Sequence, residues 1–133
     1  GIFMTESEIL KLVELAQKAR LYSYSPYSGF AVGAALLAES GKIYTGANCE
    51  NASFGATICA ERAALASAIS AGERCFTAIA VAAGDKPVTP CGICRQTLAE
   101  FGDMAVICAT AEGNEYKLFF LSSLLPEAFT SYK

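Results

Sequence analysis

The spacing of apolar positions changes several times along the chain. In TESEILKLVELAQKARLY, residues 5–22, Ile9, Leu12, Val13 and Ala16 recur at helical spacing. Thr5 stands three residues before Glu8, a capping-box pattern, so this stretch predicts an amphipathic helix with one buried face. SYSPYSG, residues 23–29, breaks it with serine, proline and glycine. FAVGAALLAES, residues 30–40, reads as a buried strand. GK is a turn, and IYTGAN, residues 43–48, is the hairpin partner. CENASFGATI, residues 49–58, has no period and reads as a loop. The alanine-rich CAERAALASAISAG, residues 59–72, predicts a helix with a glycine stop.

CFTAIAVAAG, residues 75–84, is apolar on both faces, as suits a central strand covered by helices. DKPVTP is a loop. CGICRQTLAEFG, residues 91–102, predicts a second short helix, MAVICAT a strand, EGNE a turn, YKLFFL a last strand and SSLLPEAF a short terminal helix. The order is helix, two strands, helix, strand, helix, strand, strand. It predicts one sheet sandwiched between helices, with no repeat and no linker.

Composition narrows this picture. The 133 residues suit one domain, and 53% hydrophobic residues are enough for a real core. Net charge is -3 and no Lys/Arg cluster appears, which argues against long nucleic acids as partners. The apolar runs are too short and too broken to span a membrane. No leader pattern is visible, so the expected location is the cytoplasm. Gly1, Ile2 and Phe3 precede Met4 and read as an expression remnant, leaving 4–133 as the domain.

Cysteine changes the picture most. Six cysteines with no secretion signal are expected to be free, metal-bound or catalytic rather than disulfide-bonded. Cys75 and Cys108, in or beside apolar strands, read as small core residues. Cys91 and Cys94 form a Cys-x-x-Cys in PCGICRQ, a spacing used for redox chemistry and for metals. The chain has no histidine. Cys59 and Cys91 each open a predicted helix. Ordinary crossovers would start both helices at one end of the sheet, where the positive ends of the helix dipoles favour thiolates.

Glu61 lies two residues after Cys59 and could move a proton for a metal-bound water. As an isolated first-turn glutamate it would merely complement the helix dipole. The combination decides. CAE followed about thirty residues later by PCxxC is the three-cysteine form of the zinc deaminase pattern.

On CAER and PCGICRQ, with FAVGAAL, NCENAS and LLPEAF beside them, the chain resembles the small homotetrameric zinc-dependent cytidine deaminases. The resemblance runs from about Tyr27 to Phe129. It implies a three-layer α/β/α sandwich around a single mixed five-stranded sheet. It implies deamination of cytidine and 2′-deoxycytidine in pyrimidine salvage, with a nucleoside as partner.

The resemblance further implies one Zn2+ per chain on Cys59, Cys91 and Cys94, Glu61 as proton shuttle, and Arg62 offsetting the charge of the sulfurs. It implies that Asn48 and Glu50 hold the ribose, Phe30 packs on the pyrimidine, Ala60 donates its N–H to the base carbonyl, and Phe129 reaches into a neighbouring subunit's site. Phe54 stands where many relatives carry tyrosine, so a hydroxyl contact made there is absent. Three other readings stay open: a deaminase of another aminated nucleoside such as blasticidin S, a closed zinc module with Cys49 as fourth ligand, and a redox protein using Cys91 and Cys94.

Overall fold

The computed structural model describes residues 4–131; the expected remnant at 1–3 lies outside the described residues. Helix α1 covers Glu6–Arg20. Its capping box forms as the sequence predicts, with Thr5 Oγ1 accepting from Glu8 N at 3.1 Å and Glu8 Oε1 accepting from Thr5 N at 2.9 Å. Strands β1 (Val32–Ala38) and β2 (Ile43–Ala47) form the expected hairpin. Then follow α2 (Ala60–Ser70), β3 (Phe76–Ala83), α3 (Gly92–Ala99), β4 (Ala105–Ala109), β5 (Tyr116–Phe120) and the single-turn α4 (Leu121–Leu124).

The five strands form one mixed sheet in the order β2-β1-β3-β4-β5. β1 is antiparallel to both β2 and β3, β3 is parallel to β4, and β5 is antiparallel to β4. β2, β3 and β4 therefore run the same way. The crossover helices α2 and α3 start from the same end of the sheet, as the ordinary-crossover reading requires.

Each face has its own core. On one, Ile9, Leu12, Val13 and Ala16 of α1 lie on a floor of Ala35, Ala78, Ala80, Ala82, Ala105, Ile107 and Ala109. On the other, Ala60, Ala64, Leu65 and Leu98 of α2 and α3 pack on Leu36, Ile79, Val81 and Val106. The three-layer α/β/α architecture follows from β3 being apolar on both faces.

Two glycines set the spacing of these layers. A Cβ on Gly33 of β1 would lie 2.0 Å from Ala16 O of α1, and one on Gly46 of β2 would lie 2.5 Å from Ala60 O and Ala64 N of α2. No longer side chain fits either crossing.

Two expectations need correction. The terminal helix expected over 122–129 is one turn, because Leu125 precedes Pro126 and takes an extended φ of -139°. Cys75 is exposed just before β3 and is not a core residue, whereas Cys108 is buried on β4 as expected. The loop at 49–58 holds a 3-10 turn, Phe54–Ala56, and a short backbone bridge between Cys49 and Ile58.

Candidate metal centre and nucleoside pocket

Cys59 is the N-cap of α2 and Cys91 the N-cap of α3, with Cys94 in the first turn of α3. The three Sγ atoms all lie within 4.8 Å of one another, and Cys59 and Cys91 are 3.8 Å apart. The sequence elements that bring them together are the two parallel crossovers. Among the described residues this is the only such cluster of metal-ligating side chains. Cys49 is exposed and does not join it, so among the described residues the cluster has three sulfur donors and no fourth.

The cluster fits a soft divalent metal on three grounds. Its donors are sulfurs, they number three as in open catalytic zinc sites, and a cation stands ready to offset their charge. That cation is Arg62, whose Nη2 lies 3.7 Å from Cys59 Sγ and donates to Thr57 O at 3.2 Å. Its Nε is buried without a partner. The sulfurs show how far the site favours negative charge. Accepting a hydrogen bond from the Cys94 thiol, with Arg62 beside it, pushes Cys59 down to about 5. The same bond and burial push Cys94 up as the proton donor.

Glu61 is 4% exposed at the start of α2. Burial, reinforced by the charge on Cys59, raises its pKa above the ordinary carboxylate value. Cys108, behind it, is pushed up to about 11 by burial and stays a neutral thiol in the core.

Glu61 opens into a cavity of about 380 Å³ lined also by Phe30, Val32, Asn48, Glu50, Thr57, Cys59, Ala60, Val81, Val88, Thr89 and Cys91, with Ser28 at its rim. The structure thus brings together all but three of the predicted site residues there. Arg62 and Cys94 stand behind the cavity at the sulfurs. Phe129 is not part of it; the residue is 65% exposed, and its carbonyl accepts from Gln96 Nε2 at 2.7 Å. A larger hollow of about 510 Å³ between α1 and the β1–β2 turn holds no metal-ligating cluster.

Asn48 and Glu50 do structural work that the sequence reading missed. Asn48 Oδ1 accepts from Val32 N at 2.9 Å and from Ser23 Oγ, while Nδ2 donates to Phe30 O at 3.0 Å. Glu50 Oε1 accepts from Tyr27 N and Ser28 N, at 3.0 and 3.1 Å, and Oε2 from Ser28 Oγ. These bonds, those to Ser28 foremost, hold the Glu50 carboxyl below its ordinary pKa. The two side chains pin the 23–32 segment that carries Phe30, and both also line the cavity. Ser28 was legible only as part of a turn. Phe54, 74% exposed, packs its ring edge-on against Tyr27 at 5.9 Å.

The chain matches the family model for the cytidine and deoxycytidylate deaminase zinc-binding region over residues 6–110. It is 50% identical over 123 residues to a cytidine deaminase of Halalkalibacterium halodurans, covering 90% of this chain and 92% of that protein. A probable cytidine deaminase of Dictyostelium discoideum is 45% identical over 129 residues, 96% of this chain and 87% of the relative. A crystal structure of cytidine deaminase from Burkholderia pseudomallei superposes with a TM-score of 0.86 at 44% identity, covering 95% of this chain and all of that one.

Proposed function

The chain belongs to the cytidine and deoxycytidylate deaminase family, and from that premise we propose that it hydrolyses cytidine and 2′-deoxycytidine to uridine and 2′-deoxyuridine, releasing ammonia. The observation that carries this reading is a cluster of three thiols, two of which, Cys59 and Cys91, line the same cavity as one buried carboxyl, Glu61. Zinc is the cofactor, one per chain, held by Cys59, Cys91 and Cys94; bound there, it supplies the Lewis acidity that makes water a nucleophile near neutral pH.

Glu61 moves the protons. Its Oε takes one from the attacking water and gives one to ring N3, which makes C4 electrophilic. The water oxygen bonds to C4; Glu61 then takes the second proton, from the new C4 hydroxyl, and passes it to the amino nitrogen as the C4–N bond breaks and ammonia leaves. Cytidine plus water becomes uridine plus ammonia, and the carboxyl returns to its starting state. The raised pKa of Glu61 suits a group that must both hold and release a proton. Arg62 offsets the charge on the sulfurs.

Phe30 packs on the pyrimidine, and the N–H of Ala60, at the N-terminus of α2 and without a main-chain acceptor among the described residues, donates to the base carbonyl. Asn48 and Glu50 take the ribose hydroxyls. The cavity lining holds two carboxylates and no Lys or Arg, which favours an uncharged sugar over a 5′-phosphate and hence the nucleoside over deoxycytidylate.

The working form is a homotetramer in which Phe129 completes a neighbour's pocket. Exposed Tyr22, Tyr24, Phe54, Ile93 and Phe129 support an assembly that covers them. Residues 4–133 are one deaminase domain, working in the cytoplasm on pyrimidine salvage. Among the described residues no helix is long and apolar enough to cross a membrane.

The test is turnover of cytidine, deoxycytidine, deoxycytidylate and blasticidin S by one zinc-loaded sample, with its mass measured in solution. The two nucleosides should react and the other two should not. Preference for deoxycytidylate or blasticidin S would overturn the substrate assignment, and an active monomer would remove the role of Phe129.

A further inference from the structure

The turn that delivers Cys91 is weakly held. After β3 ends at Ala83, the chain runs through residues 84–90 to the N-cap of α3. Gly84 O accepts from Ala111 N at 2.8 Å, but among the described residues no main-chain hydrogen bond reaches residues 85–90. Pro87 and Pro90 have no N–H to offer. Yet this stretch supplies Val88 and Thr89 to the cavity wall and leads directly into Cys91, which lines it too.

One side chain fastens it. Arg95 Nε donates to Pro90 O at 2.7 Å and Nη2 to Thr89 Oγ1 at 2.8 Å, while Nη1 donates to Leu124 O at 2.7 Å. Arg95 is half-buried and lies one helical turn after Cys91. Its planar fork joins the turn on one side to the C-terminal segment on the other. A lysine could not span three acceptors from one nitrogen.

We propose that Arg95 is a positioning residue for the metal centre, setting where Cys91 Sγ stands by clamping the Thr89–Pro90 turn against Leu124. It touches neither the substrate nor the reacting atoms. The proposal rests on reading the three cysteines as the zinc site.

The test is the rate at which zinc passes from the loaded enzyme to a chromophoric chelator. Arg95→Lys should release zinc about 10–100-fold faster, the range typical when a partner that orients a ligand is lost. Its kcat should fall more than its KM rises. Thr89→Val removes one of the three contacts and should shift release in the same direction by less; it carries the test if Arg95→Lys does not fold. Leu12→Ala weakens the opposite face of the sheet and should release zinc at the wild-type rate below its melting temperature.

Wild-type release rates in both Arg95→Lys and Thr89→Val would overturn the proposal. So would equally fast release from Leu12→Ala, because zinc loss would then track overall stability. A wild-type protein that binds no zinc would overturn the metal reading itself, and this proposal with it.

Discussion

The two faces of the sheet are built by the same device and put to different use. On one face α1 crosses β1 directly over Gly33; on the other α2 crosses β2 directly over Gly46. The α1 face is a layer of alanines and aliphatic side chains, with nothing charged in its core. The α2 face, equally apolar at its centre, ends in three thiols and the buried carboxyl of Glu61. Close packing alone therefore makes no site. What differs is that α2 and α3 begin where parallel strands end, so their N-termini converge, whereas α1 only covers.

The sharpest way to sharpen this contrast is to remove the proton carrier and nothing else. Glu61→Gln should keep fold and zinc while turnover of cytidine falls by about 10²–10⁴-fold or more, read from single-turnover kinetics and metal content. Full activity in a folded, zinc-loaded Glu61→Gln protein would end the shuttle assignment.

Next come the glycines. Gly46→Ala would drive a methyl into the backbone of Ala60 and Ala64, displacing the first turn of α2. A misplacement of that size costs about 10²-fold in kcat, so activity per folded molecule should drop together with the melting temperature. Gly33→Ala meets the backbone of Ala16 and Arg20 instead. It should cost about 1–3 kcal/mol of stability, measured by urea denaturation, with kcat per folded molecule unchanged. If the two variants lost activity equally, the division of labour between the faces would be wrong.

The smallest effect is one of pH. Hydrogen bonds from Ser28 hold the folded-state pKa of Glu50 below its ordinary 4.5. The unfolded chain therefore binds the proton more readily. This contribution is present above pH 4.5 and is lost as pH falls through the lower folded value. Wild type should melt above Glu50→Gln at neutral pH, and the gap should close only in acid below 4.5. A gap independent of pH would mean that the Ser28 bonds do not stabilise the ionised form.

Most of this was legible in the sequence because it is written in short-range patterns. The capping box of Thr5 and Glu8, the doubly apolar strand at 76–83 and the glycine stops after both crossover helices all act within a few residues. The metal set was legible because Cys59 and Cys91 fall at helix starts, and strand direction makes those starts meet.

What escaped was set by tertiary packing. Cys75 resembles a strand residue by its neighbours, but it sits one position before β3, outside the sheet. Asn48 and Glu50 suggested sugar contacts, and nothing local announced that they also pin residues 23–32. Arg95 was only the residue after Cys94, because two of its acceptors follow from the turn before it and the third lies 29 residues on.

The most direct test of the central claim follows ultraviolet absorbance of cytidine with the protein stripped of metal and then restored with measured zinc. The account predicts no conversion without zinc, and conversion to uridine rising with zinc up to one per chain. Protein that is folded, holds one zinc per chain and leaves cytidine and deoxycytidine unchanged would contradict it.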